Sequence, residues 1–484
     1  MDICLEHAPS QQEHLFARLR RLSFVPAMDA FLGSRWYFAL LGLLTVFANA
    51  FNQELLVYTV FILIGLYVSF FGKDYLSIVP LVPCCYIAPY ITNNPGAYDT
   101  SIFYIGHGGL YIICLAAVFA LSVIFRLALD PEIGQRAFFT ARRRLLPGVL
   151  VLGASYLLAG AGSGHYFDHG TGNLVFATIQ FLAIGALYYF FSGAVRWKEV
   201  PKDYFSTTGL TIGFILVTEI IVMYIITRPF STGELNRNVL FTGWGNYNCM
   251  GGLLTMMIPF AFRMATLKRP SWFYSFCGVL FLVGVIMTCS RTSIVCAVVI
   301  YIASFAVLCK RSKNRRSTII MNVVLFGGLL TYMALFQYDI LIQYIEIFTI
   351  KRSIGSRLDG FVAGIQQFLD YPLFGGSFYA TDYVLEEWSD VENFTAFFPG
   401  LWHNTIIQMA ASCGIAGLAA YGYHRYQTIW LLWKAPTTEN LFIALCMAAM
   451  LIMSLFDCHI YNIGPALFYS MAMAFMEQHV PVLD

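Results

Sequence analysis

Charge is what this sequence has least of. Asp, Glu, Lys and Arg make up 12% of its 484 residues, against roughly 25% for a soluble domain. That scarcity excludes a string of soluble domains, although the length would allow several. Cysteines are present, twelve of them, but no metal or redox spacing appears: Cys84 and Cys85 are adjacent, and most others fall inside apolar runs. Small apolar residues filling helix contacts is the simpler reading. The start, MDICLEHAPSQQEHLFARLRR, lacks a short apolar core followed by a small-residue cleavage site, so it reads as a cytoplasmic tail rather than a signal peptide. Repeats, low-complexity tracts and soluble inserts are absent too. The net charge of +2 carries no field for nucleic acid.

What is there is apolar surface. The chain is 58% hydrophobic with a mean hydropathy of +0.68. Runs of about 18 residues or more recur, each long enough to cross a bilayer as a helix. The fold class expected is an all-α polytopic membrane protein of about fourteen spans. They lie near 36–52, 55–72, 75–92, 104–128, 146–163, 172–192, 209–227, 240–262, 272–290, 292–309, 318–337, 403–422, 440–456 and 460–477. The organisation that follows is a cytoplasmic tail (1–34), spans one to eleven (35–337), an external loop (338–402), spans twelve to fourteen (403–477) and a second cytoplasmic tail (478–484).

Lysine and arginine test the orientation, because cytoplasmic loops carry an excess of both. With Arg18, Arg20 and Arg21 inside, Lys73, Arg126 to Arg144, Arg196 to Lys202, Arg263 to Arg269, Lys310 to Arg316, Arg425 and Lys434 fall on the same side. The cations left outside are Arg228, Arg237, Arg291, Lys351, Arg352 and Arg357, accompanied by His165, His169 and His403. Arg291 sits in a TCSRTS hairpin between two apolar runs, close to membrane depth. An arginine there calls for a partner, though one reaching out to headgroups is the competing reading.

The one long polar interval closes with Lys351 to Asn404, which opens on three cations, passes a Pro-Leu-Phe-Gly-Gly turn and ends on His403-Asn404, where an apolar helix resumes. Arginine's planar fork matches phosphate oxygens and keeps its proton. External arginines therefore suit the diphosphate of a polyprenyl-linked sugar, whose charge they can neutralise without a metal. Histidine suits removal of a proton from an acceptor hydroxyl. Asn404 is placed to orient His403 or to cap the helix. Asn246 and Asn248 could bond sugar or phosphate, or cap and pack. Acidic residues of the loop, from Asp339 through Asp359 and Asp370 to Glu392, show no spacing that singles out a catalytic pair. Asp457 and His459 read first as helix-end polarity, with membership of a site as the lesser reading. His165 and His169 flank only Asp168, which favours a plain loop over a metal pair. Trp388 and Trp402 read as aromatic belt before sugar stacking. Ala410, Gly414, Gly417 and Ala420 read as a small-residue face for helix contact.

These segments also resemble the O-antigen ligase/polymerase family of bacterial envelope glycosyltransferases. GWGNYNCMGGLL (243–254) is similar to the family's Asn-x-Asn helix start, and CSRTSIVCAVV (289–299) to its Ser-Arg hairpin. SRLDGF (356–361) with DYPLFGG (370–376) resembles its loop arginine and Pro-Leu-hydrophobic-Gly turn. LWHNTIIQMAASCGIAGL (401–418) resembles its His-Asn helix start. Phe361 stands where the family usually has Trp, and Gly375-Gly376 where it has Gly-x-Gly. The resemblance covers roughly residues 240–420. It implies His403 as base, Arg291 and Arg357 as ligands of the lipid diphosphate with Arg352 beside them, and no cofactor or metal.

The expected function is transfer of a glycan from undecaprenyl diphosphate to a sugar hydroxyl on the external face of the bacterial inner membrane. A polymerase is preferred, with a ligase to a lipid or protein anchor as the alternative. Expected partners are the lipid-linked donor, the acceptor glycan and the bilayer, with a flippase and a chain-length regulator as candidates and no nucleic acid. A transporter or flippase is the rival from another class, but it calls for charge at mid-membrane, where Glu219 is the main instance.

Overall fold

Backbone amides in a bilayer have no water to bond, so each apolar run satisfies them internally as a helix. The computed structural model describes residues 13–51, 53–88, 107–140, 143–167, 171–227, 241–242, 245–312, 315–336, 342, 352–379 and 402–479. Helix dominates them; the strands among the described residues are one two-residue antiparallel pair, Phe241–Thr242 with Gly245–Asn246. The chain is an all-helical polytopic membrane protein.

Among the described residues, full-length apolar helices fill only some of the predicted windows. Six helices among the described residues are long and apolar enough to cross a membrane: Glu54–Phe71, Gly172–Ala194, Tyr204–Ile225, Tyr247–Leu267, Arg291–Arg311 and Thr405–Lys434. Two pairs bent by 71° and 93°, Val25–Leu32 with Arg35–Phe51 and Ile113–Leu129 with Pro131–Phe139, raise the number to eight. Other windows hold shorter helices, such as Leu146–Leu157 and Thr438–Met453. Twelve residues at 1.5 Å each give only about 18 Å. The described residues thus show six to eight full-length spans, and the count of about fourteen is not confirmed by them.

Tyr247–Leu267 is the central post, with 89% of its apolar window buried. Tyr204–Thr227, Ser271–Met287, Arg291–Arg311 and Thr438–Met453 pack around it. The two ends of the bundle differ in chemistry. At one end cations meet carboxylates: Arg126 and Arg20 on Asp130 (2.8 and 3.0 Å), Arg263 on Glu439 (3.8 Å), Lys268 on Asp203 (2.6 Å). The other end carries Asn248, Arg291, His403, Asp457 and His459, each at a helix start or turn. One cation departs from the sequence expectation. Arg425 does not follow a span but lies buried within Thr405–Lys434, its guanidinium bonded to Tyr469 Oη and 4.6 Å from the Tyr421 ring centroid.

Thr405–Lys434 is broken at Gly414, whose φ of 65° and ψ of −157° are non-helical. The Pro-Leu-Phe-Gly-Gly turn fills the break. Ile415 and Ala416 donate their N–H groups to Pro372 O (2.8 Å) and Leu373 O (3.2 Å), and Ala411 O accepts from Gly376 N at 2.7 Å. A Cβ on Gly414 would lie 2.5 Å from Leu373 O. The small residue there serves a backbone junction rather than the helix–helix face read from the sequence. Gln367 reinforces it from the Arg352–Asp370 helix, donating to Ala411 O and Ser377 O at 3.0 and 2.9 Å. The stretch RLDGFVAGIQQFL lies within this helix and is fixed over the start of Thr405–Lys434.

Candidate active site

Arg291 is positioned by its own hairpin. Ser290 caps the Arg291–Arg311 helix, its hydroxyl accepting from Ser293 N. That hydroxyl also donates to Asn248 Oδ1 at 2.7 Å, tying the hairpin to the first turn of the central helix. Cys289, just before the cap, has a φ of 57°, a left-handed conformation that non-glycine residues seldom adopt and that recurs at functional sites. Gly251 and Gly252 let the site end close up. A Cβ on Gly251 would come within 2.8 Å of Ser293 and Thr288, and one on Gly252 within 2.8 Å of His459. The arginine hairpin and the His459 turn therefore pack on adjacent residues of one helix.

His403 also has a left-handed backbone, with φ 52°. Asn404 holds the turn: its Oδ1 accepts from Ile406 N and Ile407 N (2.8 and 3.1 Å) and its Nδ2 donates to Leu455 O (2.8 Å). Thr405 N adds a bond to Ser454 O at 2.8 Å. These contacts bind the start of Thr405–Lys434 to the turn after Thr438–Met453, and they bring Asp457 to the imidazole. His403 Nδ1 donates to Asp457 Oδ1 across 3.4 Å. The histidine side chain is 35% exposed and the aspartate 13%, so the imidazole faces outward over a largely enclosed carboxylate.

The electrostatics of this turn are coupled. Burial opposes ionisation of Asp457, but the hydrogen bond from His403 and the charges of His459 and His403 outweigh it, holding the carboxyl well below its usual range. His459 is fully buried and its pKa is lowered, chiefly by burial and further by Arg357 and His403, with Asp457 opposing. Arg357, on the helix fixed above, is thus near enough to act on His459, and it acts on Cys458 as well. His459 Nδ1 lies 3.4 Å from Asn462 Nδ2, while its Nε2 is buried with no hydrogen-bond partner among the described residues.

The sequence candidates sort as follows. Arg291, Asn248 and His403 come to one end of the bundle, and Arg357 joins them through the fixed helix. Asn404 is a cap whose side chain is spent on backbone groups. Arg352 opens its helix and Asn246 ends a two-residue strand; their side chains lie outside the described residues, as do Arg228, Arg237, Lys351, His169, Trp388 and the loop carboxylates from Asp382 to Glu392. His165 bonds Tyr371 Oη at 3.1 Å, beside the Pro-Leu turn. Trp402 packs against Gly364, where a Cβ would approach it to 3.2 Å. Asp457, given the lesser reading from sequence, is the residue that the fold brings to His403. Its one signal was its place, with His459, on the turn at the same end of the last helix pair.

No curated protein matches the chain. A family model described as O-Antigen ligase matches residues 276–422, a stretch holding Arg291, Arg352, Arg357, His403 and the break at Gly414. Over that stretch the chain is similar to the O-antigen ligase family of enzymes.

Proposed function

We propose that the protein transfers a glycan from undecaprenyl diphosphate to the hydroxyl of an acceptor sugar, as a polysaccharide polymerase. The observation that carries this reading is the His403–Asp457 pair set at the same bundle end as Arg291 and Arg357. With Nδ1–H directed at Asp457, His403 Nε2 keeps its lone pair for a proton. As the acceptor oxygen forms its bond to the anomeric carbon, Nε2 takes the hydroxyl proton. The bond from that carbon to the diphosphate oxygen breaks, and undecaprenyl diphosphate leaves with the electron pair. Arg291 and Arg357 neutralise its charge, stabilisation that matters most where water is excluded. Arg352 and Asn248 are adjacent candidates for donor and acceptor contacts.

The end rich in paired cations is the one the positive-inside rule assigns to the cytoplasm. On that rule both termini are cytoplasmic and the site faces outward across the bacterial inner membrane, where a flippase delivers the donor and a chain-length regulator acts beside it. A ligase, the second reading, has the same donor chemistry with a lipid or protein anchor as acceptor, and the description of the matching family supports it.

The test is the glycan of cells lacking the protein, complemented with wild type or with His403→Ala. The polymerase reading expects single lipid-linked repeats to accumulate and His403→Ala to fail to restore polymer. Polymer that forms but does not reach its anchor makes the protein a ligase. An unchanged glycan with a lost solute flux makes it a transporter.

A further inference from the structure

A cavity of about 530 Å³ opens at the opposite end of the bundle from His403, between Arg35–Phe51 and Tyr204–Thr227. Such a volume suits a small ligand or a single chain of a lipid. Its long wall runs along Thr207, Thr211 and Thr218. The hydroxyls of Thr207 and Thr211 donate to carbonyls of their own helix, Asp203 O and Thr207 O, at 2.8 and 3.0 Å. They are spent there, and the wall is apolar in character. Opposite, Gly42 leaves a shallow floor, with a Cβ there meeting Ile215 at 3.6 Å. From Thr207 to Thr218 the helix rises about 16 Å, close to half the ~30 Å hydrocarbon core. The cavity thus has the length of one leaflet.

Charge marks only its mouth. Arg35 is exposed and makes no ion pair or hydrogen bond among the described residues. The carboxylate beside it, Asp203, is neutralised by Lys268 at 2.6 Å. Among the described residues the mouth therefore carries one uncompensated positive charge over an apolar slot, complementary to a headgroup with one net negative charge above an acyl chain. We propose that this cavity is a structural lipid site, holding one chain of an anionic phospholipid from the leaflet at that end with its phosphate on Arg35.

The test uses the full chain, delipidated in detergent and titrated with phosphatidylglycerol or with phosphatidylcholine of the same chains, read by native mass spectrometry. One phosphatidylglycerol is retained per chain, several-fold in preference to phosphatidylcholine. Arg35→Gln, at an exposed position that does not threaten folding, lowers phosphatidylglycerol affinity roughly fivefold and leaves phosphatidylcholine unchanged. Gly42→Phe fills the slot and removes both. Equal retention of the two lipids overturns the proposal. So does an Arg35→Gln chain that keeps its preference, or displacement of the bound lipid by an equal concentration of undecaprenyl phosphate, which would make the slot a polyprenyl site.

Discussion

His403 Nδ1 donates to Asp457 Oδ1 at 3.4 Å, across 54 positions of sequence. The pairing fixes which ring nitrogen holds its proton. Replacing the carboxylate by an amide keeps the shape but lets the ring turn over or change tautomer, a substitution that is severe wherever a histidine base depends on its acid. Asp457→Asn is therefore expected to lower the single-turnover rate with a radiolabelled lipid-linked donor by about 10²-fold or more. Donor KM should change little, because no diphosphate contact is lost. A variant whose deficit lies wholly in KM would remove Asp457 from its positioning role.

Much of this site could be read from the chain alone, because its motifs are local. The Ser-Arg hairpin, the loop arginine and the His-Asn helix start each announce themselves by a polar residue at the edge of an apolar run. Asp457 does not, since its relation to His403 exists only once the last helix pair folds back. Gly414 misled for a different reason: a glycine in an apolar helix usually marks close packing, and nothing in sequence says that Pro372 and Leu373 will supply carbonyls to the break. Arg425 looked like an interfacial cation because its tyrosine partners, 421 and 469, come partly from another helix. Hydropathy windows register apolar length and are blind to bends, so they could not foresee the two bent pairs at 71° and 93°.

The arginines should not tolerate lysine. A guanidinium engages two phosphate oxygens at once in a fixed plane, whereas an ammonium is a point charge. Arg291→Lys and Arg357→Lys are each expected to raise the donor KM about tenfold or more. Both should leave thermal unfolding near wild type, because the charge and the stem remain. An Arg291→Lys enzyme with unaltered donor kinetics would assign this residue to the headgroups instead.

The break at Gly414 gives a stability prediction separate from chemistry. Gly414→Ala puts a Cβ 2.5 Å from Leu373 O in a backbone conformation that L-residues avoid. The expected cost is about 1–3 kcal/mol, seen as a lower melting temperature in detergent. Gly422→Ala, inside the helical second half where a Cβ meets nothing within 4 Å, makes the control for losing a helix glycine alone. If Gly414→Ala melts like wild type, the turn at Pro372–Gly376 does not depend on the break.

His459 predicts the direction of acid sensitivity. Its folded pKa is lowered, mainly by burial, so the unfolded chain binds a proton first as pH falls below the ordinary value of about 6.5. The stability it contributes is complete above that pH and is lost as pH falls through the folded value. Asp457 acts in the same direction but lower, in the carboxylate range, since its folded pKa is also lowered. Between pH 7.5 and 5.5 the wild-type melting temperature should therefore fall, and His459→Asn should flatten that slope while costing some stability at pH 7.5 through lost packing against Gly252. Asp457→Asn should leave most of the slope in place over the same interval, because its own titration lies below it. A wild-type slope that survives His459→Asn unchanged would move the acid response to another group.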